Sequence, residues 1–361
     1  MKLDLLSIAV LMSLSFSPVS ASFFPSITSI PRSLPKATAG AWDVFHNFTG
    51  CHSGQKVNGL SKLKKYFGRF GYIPDVGANC TDDFDNALEA ALRTYQKNFN
   101  LSVTGQLDDQ TLQQIMRPRC GNADIVNGTT SMNSGKMSSA RLHTTAHYSF
   151  FPGTPRWPDG ERDLTYAFFD NLTDDVKSVF SRAFNRWAAV TPLTFTLVDS
   201  LVSADIRIGF FEGDHGDGQP FDGALGTLAH AFAPPAGRFH LDAAENWLVT
   251  DNGSTLAQSS AFDLESVAVH EIGHLLGLGH SSVKGSIMYP TISSGVRKVE
   301  LANDDIRGIQ ELYGRKINSN GTTTASAGET DASENSAAHY GGGSRWFLGV
   351  LLAVGFGLLD L

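Results

Sequence analysis

The stretch VAVHEIGHLLGLGHSSVKGSIMYP, from Val267 to Pro290, limits what this chain can be more than any other segment. His270 and His274 are four residues apart, so on a helix both imidazoles leave one face about one turn apart, close enough to share a small cation. Gly277 can take the positive φ that ends a helix, and the turning chain then brings His280 back to the same point. Neutral imidazole nitrogens at about 2.0 to 2.1 Å suit zinc, and three protein ligands leave the fourth tetrahedral position for water. Zinc lowers the pKa of that water to about 7 and polarises a substrate carbonyl. Glu271 is placed to act as general base and then to protonate the leaving amine, so the reaction implied is peptide-bond hydrolysis. A bare HExxH string arises by chance; the longer pattern through His280, followed by the turn SIMYP around Met288, is far more specific.

With 361 residues, 42% of them hydrophobic, the chain is long enough for two or three folded units. A formal charge of −8 gives no basic stripe, which argues against a nucleic-acid partner and favours bound cations. Residues 1–21 carry a lysine, an apolar run and small residues around Ala21, the pattern of a secretory signal. Asn47, Asn79, Asn100, Asn127, Asn171, Asn252 and Asn320 each begin an Asn-x-Ser/Thr glycosylation pattern, consistent with export. At the other end, Arg345 to Leu359 is apolar but short for a span of about 20 residues. It follows small residues and a polar spacer, so residues 338–361 read as a signal exchanged for a glycosylphosphatidylinositol anchor, which would make the plasma membrane a partner.

Between these ends, Leu60 to Met116 predicts three short helices, the second with Phe84, Ala87, Leu88, Ala91, Leu92, Tyr95 and Phe99 on one apolar stripe. A Ser/Thr/Gly/Asn-rich connector from Asn127 to about Thr145 has no periodicity and is open to proteases. From about Tyr148 to Gly314 the pattern is a strand, a helix starting after Thr173, four more strands, the His270 helix and a last helix ending at Gly314. That is a mixed α/β domain. Residues 315–337 form a low-complexity tether. Three cysteines in an oxidising compartment leave one over: Cys51 with Cys80 would leave Cys120, and the other two pairings stay open.

HExxHxxGxxH with its Met-turn resembles the metzincins, and Ser281 directly after the third histidine resembles, among them, the matrixins or matrix metalloproteinases. The resemblance implies an α+β catalytic domain with a twisted mixed sheet and three helices over residues 148–314. It implies a propeptide, residues 22–147, whose three-helix part (about 60–116) has a peptidoglycan-binding-like fold. It also implies a structural zinc on His215, Asp217, His230 and His240, where four protein ligands close the sphere. A calcium site is implied at Asp222, Asp242 and Glu245 with the carbonyls of Gly223, Leu225 and Thr227. MRPRCGNAD resembles the matrixin cysteine switch, residues 118–124, with Ala123 in place of proline; Cys120 would fill the fourth position on the catalytic zinc, and Arg119 and Asp124 would pair to hold the segment. On this reading the chain is a secreted zymogen acting on extracellular proteins, released by an activating protease that cuts the connector. The strand at Leu228 to Phe232 is expected along the cleft, where an extended substrate adds through main-chain hydrogen bonds. Ile292 replaces a usual tyrosine in the wall of the pocket for the residue after the scissile bond, and small Ser266 leaves that pocket deep. No hemopexin-like region follows, a layout that looks like the plant-type enzymes.

Overall fold

The computed structural model describes residues 40–77, 80–132, 146–249 and 260–316. The signal at 1–21, the connector's residues 133–145, the tether beyond Lys316, the anchor signal at 338–361 and the sequons at Asn79, Asn252 and Asn320 lie outside the described residues. Among the described residues no helix is long and apolar enough to cross a membrane.

The expected helices form as α1 (Leu60–Arg69), α2 (Asn86–Asn98) and α3 (Asp109–Ile115). Their starts are set by side chains that satisfy otherwise orphaned amides: Asp85 accepts from Leu88 N and Asp108 from Thr111 N, both at 2.9 Å. A 3-10 turn at Asp43–Phe48, too short to show a period in sequence, adds Phe45 and Phe48 to the helical core. No disulfide staples this unit. Cys51 is buried among its aromatics, and Cys80 Sγ lies 3.7 Å from Ser61 O, so the Cys51–Cys80 pairing considered from the cysteine count is not made.

After α3 come a two-residue strand β1 (Arg119–Cys120) and a hairpin of β2 (Ile125–Val126) and β3 (Thr129–Thr130). The larger core is built on β4 (Asp163–Phe168), α4 (Asp174–Val190), β5 (Thr194–Leu197), β6 (Ile206–Phe211), β7 (Thr227–Ala231) and β8 (Arg238–Asp242). A short parallel pair, β9 (Trp247–Leu248) and β10 (Phe262–Asp263), leads into α5 (Leu264–Leu275), and α6 (Asn303–Tyr313) closes the fold. The six-stranded sheet has the order β1-β7-β8-β6-β4-β5 and is parallel throughout except for β7 against β8. Thr173 holds the N-cap position of α4 as expected, although its hydroxyl makes no capping bond.

Helices α4 and α5 pack together on the sheet. Trp187 of α4 is fully buried and donates its indole N–H to Val269 O of α5 at 2.9 Å. Glu265, in the first turn of α5, is buried and joined by Arg182, Arg186 and Arg297 at 2.8 to 3.0 Å, so the carboxylate is paired rather than stranded. Every residue of α5 is buried, which fixes the helix that carries His270 and His274 against movement. The helical unit and this larger core belong to one compact body, and Tyr289 of the larger core packs edge-on to Phe99 of the smaller at 5.8 Å between ring centres.

Candidate active site

Helix α5 projects His270 and His274 from one face, and the chain reverses at Gly277, whose φ is 101°. A β-carbon there would strike Pro155 O, so the turn needs glycine for space as well as for backbone conformation. The reversal delivers His280. Each of the three rings is oriented by its Nδ1: His270 to Ile287 O at 2.7 Å, His274 to Leu278 O at 2.8 Å and His280 to the Asp124 carboxylate at 2.8 Å. Those oxygens only accept, so the proton sits on Nδ1 and the lone pair on Nε2 faces the common centre. The three Nε2 atoms and Cys120 Sγ all lie within 4.8 Å of one another.

His270 Nε2 and His280 Nε2 are buried and have no hydrogen-bond partner among the described residues. Burial holds the imidazoles of His270 and His274 well below the usual histidine range and lowers His280 too, so all three are neutral donors at pH 7. Orphaned neutral nitrogens converging on one point are what a cation requires and what a packed core avoids. Glu271 is also fully buried with neither oxygen partnered, and burial pushes its carboxyl up to about 8.

Met288 lies under α5. A β-carbon on Gly273 would collide with its sulfur and crowd Trp187, which accounts for a glycine inside the helix. The turn bearing Met288 is held by a residue that sequence reading missed, Asp305. Its carboxylate is buried and accepts from Ser286 Oγ at 2.5 Å, Ile287 N at 2.8 Å, Met288 N at 3.1 Å and Ala302 N at 2.7 Å. The signal available was an acid in the first turn of a helix, where capping is the ordinary reading. Beside it, Ser281 donates to Asp304 at 2.7 Å, giving the serine after the third histidine a role in anchoring α6.

The fourth member of the cluster arrives from far upstream. Strand β1 lies parallel to β7 at the sheet edge, Arg119 N donating to Gly226 O at 3.0 Å and Gly121 N to Ala229 O at 2.7 Å. On its other side Cys120 N donates to Pro290 O at 2.9 Å. Asn122 extends the ladder with its side chain, donating Nδ2–H to Ala231 O and accepting from Ala231 N. The cleft strand is thus already paired. Arg119 and Asp124, both fully buried, form a two-pronged ion pair at 2.6 and 2.9 Å, with the guanidinium 3.7 Å from the centre of the Phe70 ring. Although burial opposes ionisation, Arg119 and His280 hold the Asp124 carboxyl down at about 2. Tyr72 Oη donates to the same carboxylate at 2.8 Å. Ala123, in place of the family proline, is held by its carbonyl accepting from Ser131 Oγ at 3.1 Å.

A second cluster gathers His215, Asp217, His230 and His240. Asp217 Oδ2 stands 2.9, 2.7 and 2.8 Å from a ring nitrogen of His215, His230 and His240 respectively. His215 Nδ1 faces Gly213 O at 3.0 Å, which directs its Nε2 toward Asp217 Oδ2, and three imidazoles around one carboxylate oxygen form a donor set suited to a cation. His215, Asp217, His230 and His240 would hold a zinc ion with protein donors alone. Burial lowers His230 to about 3 and His240 to about 4, keeping both neutral.

Asp222 precedes a loop in which Gly223 and Leu225 take positive φ, and Asp242 at the end of β8 and Glu245 just beyond it lie near enough for the three carboxylates to act on one another. Asp222 accepts from Thr227 N at 2.8 Å and Glu245 from Leu225 N at 2.8 Å. One oxygen each of Asp242 and Glu245 is buried without a partner. Burial, with the charge of Asp222 nearby, raises Asp242 to about 6, and burial, with the charges of Asp242 and Asp222, raises Glu245 to about 8. Hard oxygens left bare and crowded in this way fit a calcium ion.

Fold and site together define a zinc-dependent metalloendopeptidase, and the chain belongs to the matrixin family. The matrixin family model matches residues 156–314, and a putative peptidoglycan binding domain matches residues 56–115. The chain is 61% identical to Metalloendoproteinase 2-MMP of Arabidopsis thaliana over 319 residues, 85% of this chain and 84% of that one. It is 49% identical to Metalloendoproteinase 1 of Glycine max over 292 residues, 79% of this chain and 93% of that one. It is 37% identical to Matrilysin of Homo sapiens over 278 residues, 73% and 91% of the two chains. Matrixins use catalytic and structural zinc and calcium.

Proposed function

We propose that the chain is a latent extracellular endopeptidase whose active site is closed by its own N-terminal unit. The observation that carries this reading is Cys120 Sγ, 3.4 Å from His274 Nε2 inside the three-histidine cluster, on a strand that occupies the sheet edge a substrate would need. Zinc, held by His270, His274 and His280, supplies when bound a Lewis acid that polarises a carbonyl and activates water. Burial and Glu271 push the Cys120 thiol up, whereas a divalent charge at the cluster would favour the thiolate, to which Asn122 N donates at 3.4 Å.

Removing the N-terminal unit would free both the cluster and β7. An extended substrate would then add at the edge of β7, with Ala229 and Ala231 offering the main-chain groups now used by Gly121 and Asn122. Glu271, raised by burial toward neutral pH, would take a proton from the attacking water and pass it to the leaving amine. His270 and His274 stay fixed by carbonyls of their own domain, while His280 exchanges Asp124 for another partner.

Export, an activating cut in the connector between Asn127 and His147 and a lipid anchor at the C-terminal end complete the reading. Exposed asparagines in the described sequons Asn47, Asn100, Asn127 and Asn171 support passage through a glycosylating compartment. The deciding experiment compares full-length wild type with Cys120→Ser on a generic peptide. The variant should hydrolyse it without any cut in the chain. A variant as silent as wild type would defeat the latch.

A further inference from the structure

The four donor atoms around the Asp124 carboxylate fill every position at which it can accept. Oδ1 takes Arg119 Nη2 at 2.6 Å and His280 Nδ1 at 2.8 Å, and Oδ2 takes Arg119 Nη1 at 2.9 Å and Tyr72 Oη at 2.8 Å. Two bonds to each oxygen saturate a carboxylate. Of these donors, Tyr72 alone belongs to the core of the helical unit.

Tyr72 is itself held in place from several directions. It follows α1 and Gly71, whose φ is 83° and on which a β-carbon would strike Ile125 O. Phe70 O, just before that glycine, accepts from both Asp124 N at 3.1 Å and Ile125 N at 3.2 Å, so one turn of the helical unit grips the main chain and the side chain of Asp124 together. The Tyr72 ring packs edge-on to Phe67 and Tyr95, with ring centres 5.8 and 5.3 Å away. Asn98, buried at the end of α2, donates Nδ2–H to Tyr72 Oη at 3.2 Å. With that lone pair used, the phenol proton is aimed at Asp124. A path of hydrogen bonds therefore runs from the end of α2 through Tyr72 and Asp124 to the ring of His280.

We propose that Tyr72 is the positioning residue through which the folded helical unit keeps the switch closed, by supplying the fourth hydrogen bond on Asp124. The proposal rests on the latent-endopeptidase reading above and adds that the segment 118–124 is not self-sufficient. The Arg119–Asp124 pair closes its loop, but the direction in which that pair faces His280 is set from α1 and α2. Removing the hydroxyl leaves a buried charge one donor short. That cost falls on the closed form, because water serves the carboxylate once the segment opens.

The test uses the full-length, uncut, zinc-loaded precursor. Tyr72→Phe should raise the rate at which a thiol reagent modifies Cys120, read by mass spectrometry of the Cys120 peptide, about tenfold, with a like rise in hydrolysis of a generic peptide. Tyr95→Phe is the control, since its hydroxyl is buried in the same core and makes no hydrogen bond to the switch; both rates should stay within twofold of wild type. Asn98→Leu, which frees the phenol to turn, should give a smaller rise in both, and it carries the test should Tyr72→Phe not fold. In the cobalt-substituted precursor, the visible absorption that reports ligand geometry should shift in Tyr72→Phe and not in Tyr95→Phe, a signature that general loosening of the core does not produce. Cys120 protection and cobalt spectra like those of wild type in the Tyr72 and Asn98 variants, or equal rises in the Tyr72 and Tyr95 variants, overturn the proposal and leave the latch intact. A wild-type Cys120 that reacts as fast as in the urea-unfolded chain would instead overturn the latch, and this proposal with it.

Discussion

His215 and His240, which bracket the second cluster, are 25 residues apart, whereas Cys120 and His274 in the first are separated by 154. Both clusters offer four donors to a metal. In one, all four donors sit on β7, β8 and the loop before them, so the site is complete whenever that region folds. In the other, three donors belong to α5 and its following turn and the fourth comes from β1, the edge strand of the sheet, far upstream in the chain. A closed set fastens a loop; a set with one detachable member can be opened. The same contrast appears behind the ligands, since His270 and His274 lean on carbonyls of their own domain and His280 leans on Asp124 of the N-terminal unit.

The largest test of this contrast is Glu271→Gln in the processed enzyme. Its kcat/KM should fall by about 10²- to 10⁴-fold while zinc content, read by metal analysis, stays that of wild type. Full activity would remove Glu271 from the chemistry. His240→Ala should act in the opposite manner, taking one zinc away and lowering the unfolding free energy by more than about 4 kcal/mol, because it strips a ligand from a closed site. Thermal melting with metal analysis checks it, and a variant that keeps its melting temperature would deny that site a structural role.

Smaller again, Arg119→Ala leaves the buried Asp124 carboxylate without its cation, a change of about 3–5 kcal/mol for such pairs. The precursor should then expose Cys120 to thiol reagents and gain activity without cleavage; unchanged thiol protection would show that the β1 ladder suffices alone.

A further prediction concerns calcium. With the ion chelated by a calcium-selective agent, Glu245 and Asp242 keep their protons to about 8 and about 6, above the unfolded values of 4.5 and 3.8. The unfolded chain therefore releases protons first, so the stability of the calcium-free protein is greatest below about pH 4 as far as these two groups are concerned, and declines as pH rises to about 8. Added calcium should flatten that decline. Equal slopes with and without calcium would dissociate these carboxylates from the ion.

Much of the catalytic cluster was legible because its spacing is local. Four residues on a helix and a glycine turn place His270, His274 and His280 by backbone geometry alone. Asp305 and Asn122 were not legible. The first looks like any acid opening a helix, and the second acts through a side-chain amide that imitates backbone pairing with a strand far along the chain. The 3-10 turn at Asp43–Phe48 escaped for a simpler reason, being too short for periodicity.

Sequence by itself determined which donor atoms exist, their hardness or softness, and the helix face from which two imidazoles emerge. Only the folded molecule decided that a thiol 154 residues away joins that set and that three thiols stay unpaired. The physical reason is range: φ and ψ preferences and helical spacing act over a few residues, whereas burial and strand pairing choose partners across the whole chain.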